Sequence, residues 1–194
     1  MTSKERVILA LNKKSVDRVP WIEGIVGDDI ASKICEERIN VDWSVAPDGT
    51  PIKSGPIFSP DFYEKEILPV ERRVTEKINI PLIIHSDGNM NPLLDLWIQL
   101  KPNAIHPIQP DVMDIYKVRE RLPENIGIVG NIDMNLLVHG MSEEVEDLVK
   151  ERMERLKPTG NYLISSSNSL TDDMKPENVK AMILAIKKYG KYKK

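Results

Sequence analysis

A single cysteine, Cys35, stands in 194 residues. One thiol excludes a disulfide within the chain and any zinc cage built from several cysteines of one chain. Cys35 itself reads as a buried apolar side chain. Aromatic residues make up only 5%, so aliphatic side chains must build the core. Positive charge is not concentrated anywhere: 27 Lys and Arg are interspersed with 30 Asp and Glu, for a net charge of -3. A basic face for nucleic acid is therefore not expected. No apolar run approaches the ~18 residues that would mark a membrane span. The opening Met1-Thr-Ser-Lys-Glu-Arg leads directly into an amphipathic pattern without a signal-type apolar region, which makes a soluble cytoplasmic protein the expectation. The 41% apolar and 29% charged residues can bury one core, and residues 1–194 read as one domain.

What the chain does contain is a rhythm. The run Pro81-Leu-Ile-Ile-His85 has the length of a strand buried on both faces and ends abruptly in Ser86-Asp87-Gly88-Asn89. Three further apolar runs end the same way. Ala104-Ile105 leads into His106-Pro107, Ile126 to Val129 into Gly130-Asn131-Ile132-Asp133, and Tyr162-Leu163-Ile164 into Ser165 to Ser169. Helical patterns separate them. This is the pattern of a parallel α/β protein that carries its chemistry at the C-terminal ends of its strands.

The helices follow from caps and spacing. Thr2 with Glu5 makes a capping box ahead of Val7, Ile8 and Leu11. A further strand is expected near Trp21 to Val26 and a short helix through Ile30, Ile34 and Cys35. Residues 40–60 lose both periods. Ser59-Pro60 then opens a longer helix, with Phe62, Ile67, Val70, Val74 and Ile78 expected to face inward and Pro69 to kink or divide it. Asn91, Asp111 and Ser142 are the expected caps of the next helices. The last helix runs from Pro176 to a stop at Gly190.

These residues carry a resemblance. Ala10-Leu-Asn-Lys-Lys-Ser-Val-Asp17-Arg18-Val19-Pro20, Ser54-Gly55-Pro56-Ile57-Phe58-Ser59-Pro60, His85-Ser-Asp-Gly-Asn89, Gly130-Asn-Ile-Asp133, and Ser165-Ser-Ser-Asn-Ser-Leu170 with Lys175-Pro-Glu-Asn178 are similar, in order, to the motifs of the uroporphyrinogen decarboxylase superfamily. The resemblance implies a (β/α)8-barrel-derived fold. It also implies one of two activities: tetrapyrrole decarboxylation, or methyl transfer between corrinoid proteins and thiol or tetrahydrofolate acceptors. A full barrel typically takes ~250 residues. The expectation is therefore an incomplete TIM barrel of about five parallel strands, matching strands 1 and 5–8 of the family. Residues 1–50 form an N-terminal barrel segment, residues 54–190 a C-terminal half-barrel, and a deletion junction falls near residues 50–53. Open sheet edges would then favour a homo-oligomer.

Candidate site residues follow from the strand ends. His85 and Asp87, two residues apart, offer imidazole and carboxylate to one cation, zinc by resemblance; hydrogen-bonded strand ends are the alternative. The zinc enzymes of the superfamily have a Cys where Asp87 stands, and a second Cys near Ser167 and Asn168. His85, Asp87 and Asp133 are the catalytic candidates. Asn89, His106, Asn131, Ser167 and Asn168 are the substrate-binding ones. His106 equally reads as a shaping residue beside Pro107, and Asp133 as an Asx-turn cap of the next helix. The decarboxylase branch holds substrate carboxylates with an arginine-rich segment after the opening motif, whereas Trp21-Ile-Glu-Gly-Ile-Val-Gly-Asp28 has no arginine. The expected function is thus methyl transfer of a small-molecule substrate, with a corrinoid protein as the implied partner and no membrane or nucleic acid. Tetrapyrrole decarboxylation and a non-catalytic half-barrel remnant are the alternatives.

Overall fold

The computed structural model describes residues 1–22, 55–56 and 58–192. The expected helix through Ile34 and Cys35 and the junction near 50–53 lie outside these residues. Helix α1 is Ser3–Leu11, capped by Thr2 and Glu5 as a complete capping box. It is followed by a helical turn at Pro60–Phe62, a π-helical stretch Tyr63–Ile67, and α2 at Leu68–Thr75. Strand β1 (Ile83–His85), α3 (Leu94–Gln99), β2 (Ala104–His106), α4 (Ile115–Arg121) and β3 (Gly127–Val129) alternate thereafter. Helices α5 (Met134–His139) and α6 (Ser142–Leu156), strand β4 (Tyr162–Leu163) and α7 (Pro176–Tyr189) complete the order. Among the described residues, no helix is long and apolar enough to cross a membrane.

The four strands form one parallel sheet in the order β1-β2-β3-β4. Beyond β4 the sheet continues: Trp21 bridges Ile164 in parallel, with Ile22 N donating to Ile164 O at 3.1 Å and Ile164 N to Pro20 O at 3.0 Å. The chain is thus an incomplete parallel barrel in which Trp21 and Ile22 stand beside the last strand.

Period-two alternation divides the core into two layers. Ile84, Ile105, Ile128, Tyr162 and Ile164 face the helices, where they pack with Trp97, Val118, Val145, Val149, Met153, Val179 and Met182. Ile83, Ala104, Val129 and Leu163 face the other way and meet Ala10 and Leu11 of α1, which closes the N-terminal end of the interior. His85 and His106, one step further along β1 and β2, share that inner face and are register partners.

Several expected details differ. Phe62, Val70, Val74 and Ile78 are exposed, while Tyr63 and Leu68 are buried. The π-helical turn at Tyr63–Ile67 rotates the following residues away from the simple 3.6-residue stripe. Tyr63 becomes the anchor, accepting from Trp97 Nε1 at 3.0 Å and donating to Glu71. Asp114, not Asp111, caps α4. Met90 precedes the helical turn that begins at Asn91, and Asn91 does not cap it. Ser142 is the first residue of α6, and its hydroxyl bonds Asn178 at 3.0 Å.

Candidate functional site

The parallel register brings the ends of all four strands to one side of the sheet. His85 Nδ1 and His106 Nδ1 lie 2.6 Å apart, and the rings stack with centroids 4.8 Å apart. At that distance one nitrogen must carry the proton and the other the lone pair. His106 also bonds the Ser166 backbone, an interaction that favours its charged form. With its N–H used on the Ser166 carbonyl, His106 presents a lone pair at Nδ1 and His85 donates to it. The partners fix the tautomers in this way. His85 Nε2 faces Asp87 Oδ2 at 3.8 Å.

Burial is the main reason that His106 is pushed down to about 4, with the neighbouring His85 ring adding to the effect. His106 is therefore neutral at pH 7. His85, with its side chain 52% exposed, is the member of the pair that can meet a substrate. Asp87 is positioned by Asn168, whose Nδ2 donates to Asp87 Oδ2 at 3.3 Å.

The other candidates serve the loops. Asn89 Oδ1 accepts from Asn91 N at 3.2 Å and tightens the turn after β1. Asp133 accepts from Asn135 N at 2.8 Å as the cap of α5, the Asx-turn role. Asn131 is buried: it donates to Ile108 O at 2.6 Å and accepts from Arg152 Nε at 3.0 Å. Ser167 is buried too, and its backbone N donates to Ile132 O at 2.8 Å. The structure thus brings His85, Asp87, His106 and Asn168 together and sets Asn89, Asn131, Asp133 and Ser167 in the supporting turns. The peptide bonds His106-Pro107 and Gly130-Asn131 are cis. A side chain at Gly130, with φ +135, would lie 2.2 Å from Pro107 O, so the two loops touch only because this residue is glycine.

Two residues of this region escaped the sequence pattern. Gln109 Oε1 accepts from Gly88 N at 2.8 Å and joins the loops after β1 and β2. Arg152 lies buried beneath Asn131. Its signal was visible: it interrupts the apolar stripe Val145, Val149, Leu156 at a position of the same helix face. The loops after the strands, residues 86–91, 107–114, 130–135 and 165–171, contain no Lys or Arg.

The family model described as uroporphyrinogen decarboxylase (URO-D) matches residues 46–189. A uroporphyrinogen decarboxylase of Francisella philomiragia is 25% identical over 124 residues, 62% of this chain and 35% of that protein. A methylated-thiol–coenzyme M methyltransferase of Methanosarcina mazei is 24% identical over 138 residues, 71% of this chain and 36% of that protein. A solved methyltransferase structure from Methanosarcina mazei superposes with a TM-score of 0.58 at 20% identity, covering 68% of this chain and 38% of that one. The chain spans about a third of the length of the curated relatives it matches.

Proposed function

Because the chain belongs to the uroporphyrinogen decarboxylase family, we propose that it works in the methyl-transferring branch, with His85 accepting the proton at the open strand ends. The observation that carries this reading is the imidazole pair. His106 holds His85 by Nδ1 at 2.6 Å and thereby directs the free lone pair of His85 outward beside Asp87. An acceptor X–H gives its proton to His85 Nε2, and the electron pair of X forms the bond to the methyl carbon. The bond from methyl to its donor breaks with its pair on the donor. The carboxylate, 3.8 Å away, stabilises the resulting imidazolium without occupying the nitrogen beforehand. Asn131, Asn89, Ser167 and Asp133 shape the turns around the substrate. The donor of this reading is a methylated corrinoid delivered by a partner protein, or a methylated thiol as in the name of the Methanosarcina mazei relative.

Zinc does not fit the described residues. Among them, no three His, Cys, Asp or Glu side chains converge on a cation position. His85 and Asp87 supply two donors where a catalytic zinc takes three from the protein. In this reading the proton goes to an imidazole. Decarboxylation of a polyacid is disfavoured for a different reason: the described strand-end loops offer no cation to its carboxylates. The proposal also includes self-association. Among the described residues strand β1 ends the sheet, and Val74 and Ile80 nearby in sequence are exposed, so a second chain is the proposed cover; a monomeric mass in solution would contradict it.

The test supplies methylcobalamin and 2-mercaptoethanesulfonate in one arm and uroporphyrinogen in the other. The methyl thioether is the expected product, with the uroporphyrinogen carboxyl groups left intact. Loss of carboxyl groups would overturn the proposal in favour of decarboxylation. No product in either arm would overturn it in favour of a non-catalytic half-barrel.

A further inference from the structure

Arg152 belongs to α6, on the outer layer, yet it reaches the site side of the sheet. Its Nε donates to Asn131 Oδ1 at 3.0 Å, and its NH1 group donates to the Tyr116 hydroxyl at 2.6 Å and lies 3.3 Å from Glu151 Oε2. Tyr116 in turn donates to Glu151 Oε1 at 2.9 Å, and the Arg155 guanidinium covers the Tyr116 ring at 3.2 Å. The guanidinium is thus gripped on its outer side and offers one directed donor inward.

What Asn131 does with its other end gives that donor a purpose. Its amide donates to Ile108 O at 2.6 Å. Ile108 is a β-branched residue at φ 56, a left-handed conformation that such a side chain disfavours. A conformation of this kind persists only where its surroundings hold it. Ile108 is two residues from His106 and adjoins Gln109, whose side chain accepts from Gly88 N at 2.8 Å. Arg152, Asn131, Ile108, Gln109 and Gly88 therefore form a chain of contacts from α6 to the loops that carry both histidines.

We propose that Arg152 is a positioning residue for the His85–His106 pair, acting through Asn131 and the Ile108 carbonyl to hold the loop after β2 in the one conformation that brings the two Nδ1 atoms together. The inference rests on the site as read above but not on the reaction, since the pair can be observed without substrate. Arg119 supplies the comparison: it is a partly buried arginine on α4 that binds backbone carbonyls at the opposite end of β3.

The experiment is proton and nitrogen NMR of the full chain with labelled histidine. Wild type should show a slowly exchanging downfield proton on His85 Nδ1 and a His106 in the Nε2–H tautomer. Arg152→Met should lose the downfield proton and mix the His106 tautomers. Asn131→Asp keeps an acceptor for Arg152 but cannot donate to Ile108, and should have the same effect. Arg119→Met should lower the melting temperature and leave both signatures in place. An unchanged downfield proton in folded Arg152→Met or Asn131→Asp would overturn the proposal, as would its loss in folded Arg119→Met. Should Arg152→Met not fold, Asn131→Asp decides alone. These outcomes are independent of whether methyl transfer is found.

Discussion

The two ends of the sheet use the same kinds of residue to opposite purpose. At the N-terminal end the polar side chains bind backbone: Asn103 accepts from Leu82 N at 2.8 Å and donates to Leu11 O at 3.1 Å, and Asn161 donates to Glu124 O at 2.6 Å. Arg119 adds bonds to Ile126 O at 2.7 Å and to Leu122 O and Pro123 O at 2.8 Å. At the C-terminal end, His85 and Asp87 are held by other side chains and keep unused capacity toward solvent. A parallel sheet makes this division available because all its strands end on one side, and here one end holds the fold while the other is free for chemistry.

The largest effect that would sharpen this division is expected from Arg119→Met. It leaves three carbonyls without their charged donor, and equilibrium urea unfolding should show a loss of about 4 kcal/mol. A loss under 1 kcal/mol would mean that the N-terminal end is not the stabilising one. A smaller effect is expected from pH at the other end. His106, pushed down to about 4 from the ordinary 6.5, binds its proton more readily when unfolded. Its contribution to stability is therefore fully present above pH 6.5 and is lost as pH falls toward 4, amounting to roughly 3 kcal/mol at most. Unfolding curves at pH 7.5 and 4.5 for wild type and His106→Gln should converge at the lower pH; parallel curves would contradict the burial of that ring. The smallest effect belongs to Asp133→Ala, which removes the cap of α5 and should cost about 1 kcal/mol without moving the histidines.

How much of this was legible beforehand depended on the range of the interactions. Strand ends are legible because a buried strand is a local pattern, and the runs ending at His85, His106, Val129 and Ile164 show it in their own residues. Facing of side chains across strands was not. That His85 and His106 are register partners follows from which strands are neighbours, and nothing within either run specifies it. The helix at 60–75 misleads for a related reason: its 3.6-residue stripe predicts Val70 and Val74 inside, and the π-helical turn before them shifts the phase. Asp133 shows the ambiguity of a carboxylate before a helix, where a cap and a base look alike until the acceptor bond to Asn135 is seen. Arg152 stood in plain view as a charge on an apolar stripe, but only the buried Asn131 explains it.

The strand-end imidazole pair is proposed to take the proton during methyl transfer, and single-turnover kinetics of His85→Gln probe that role. With methylcobalamin and a thiol, wild type should form the methyl thioether, and His85→Gln should do so at least ~100-fold more slowly while unfolding at the same urea concentration. A folded His85→Gln protein that transfers the methyl group at the wild-type rate would contradict the account.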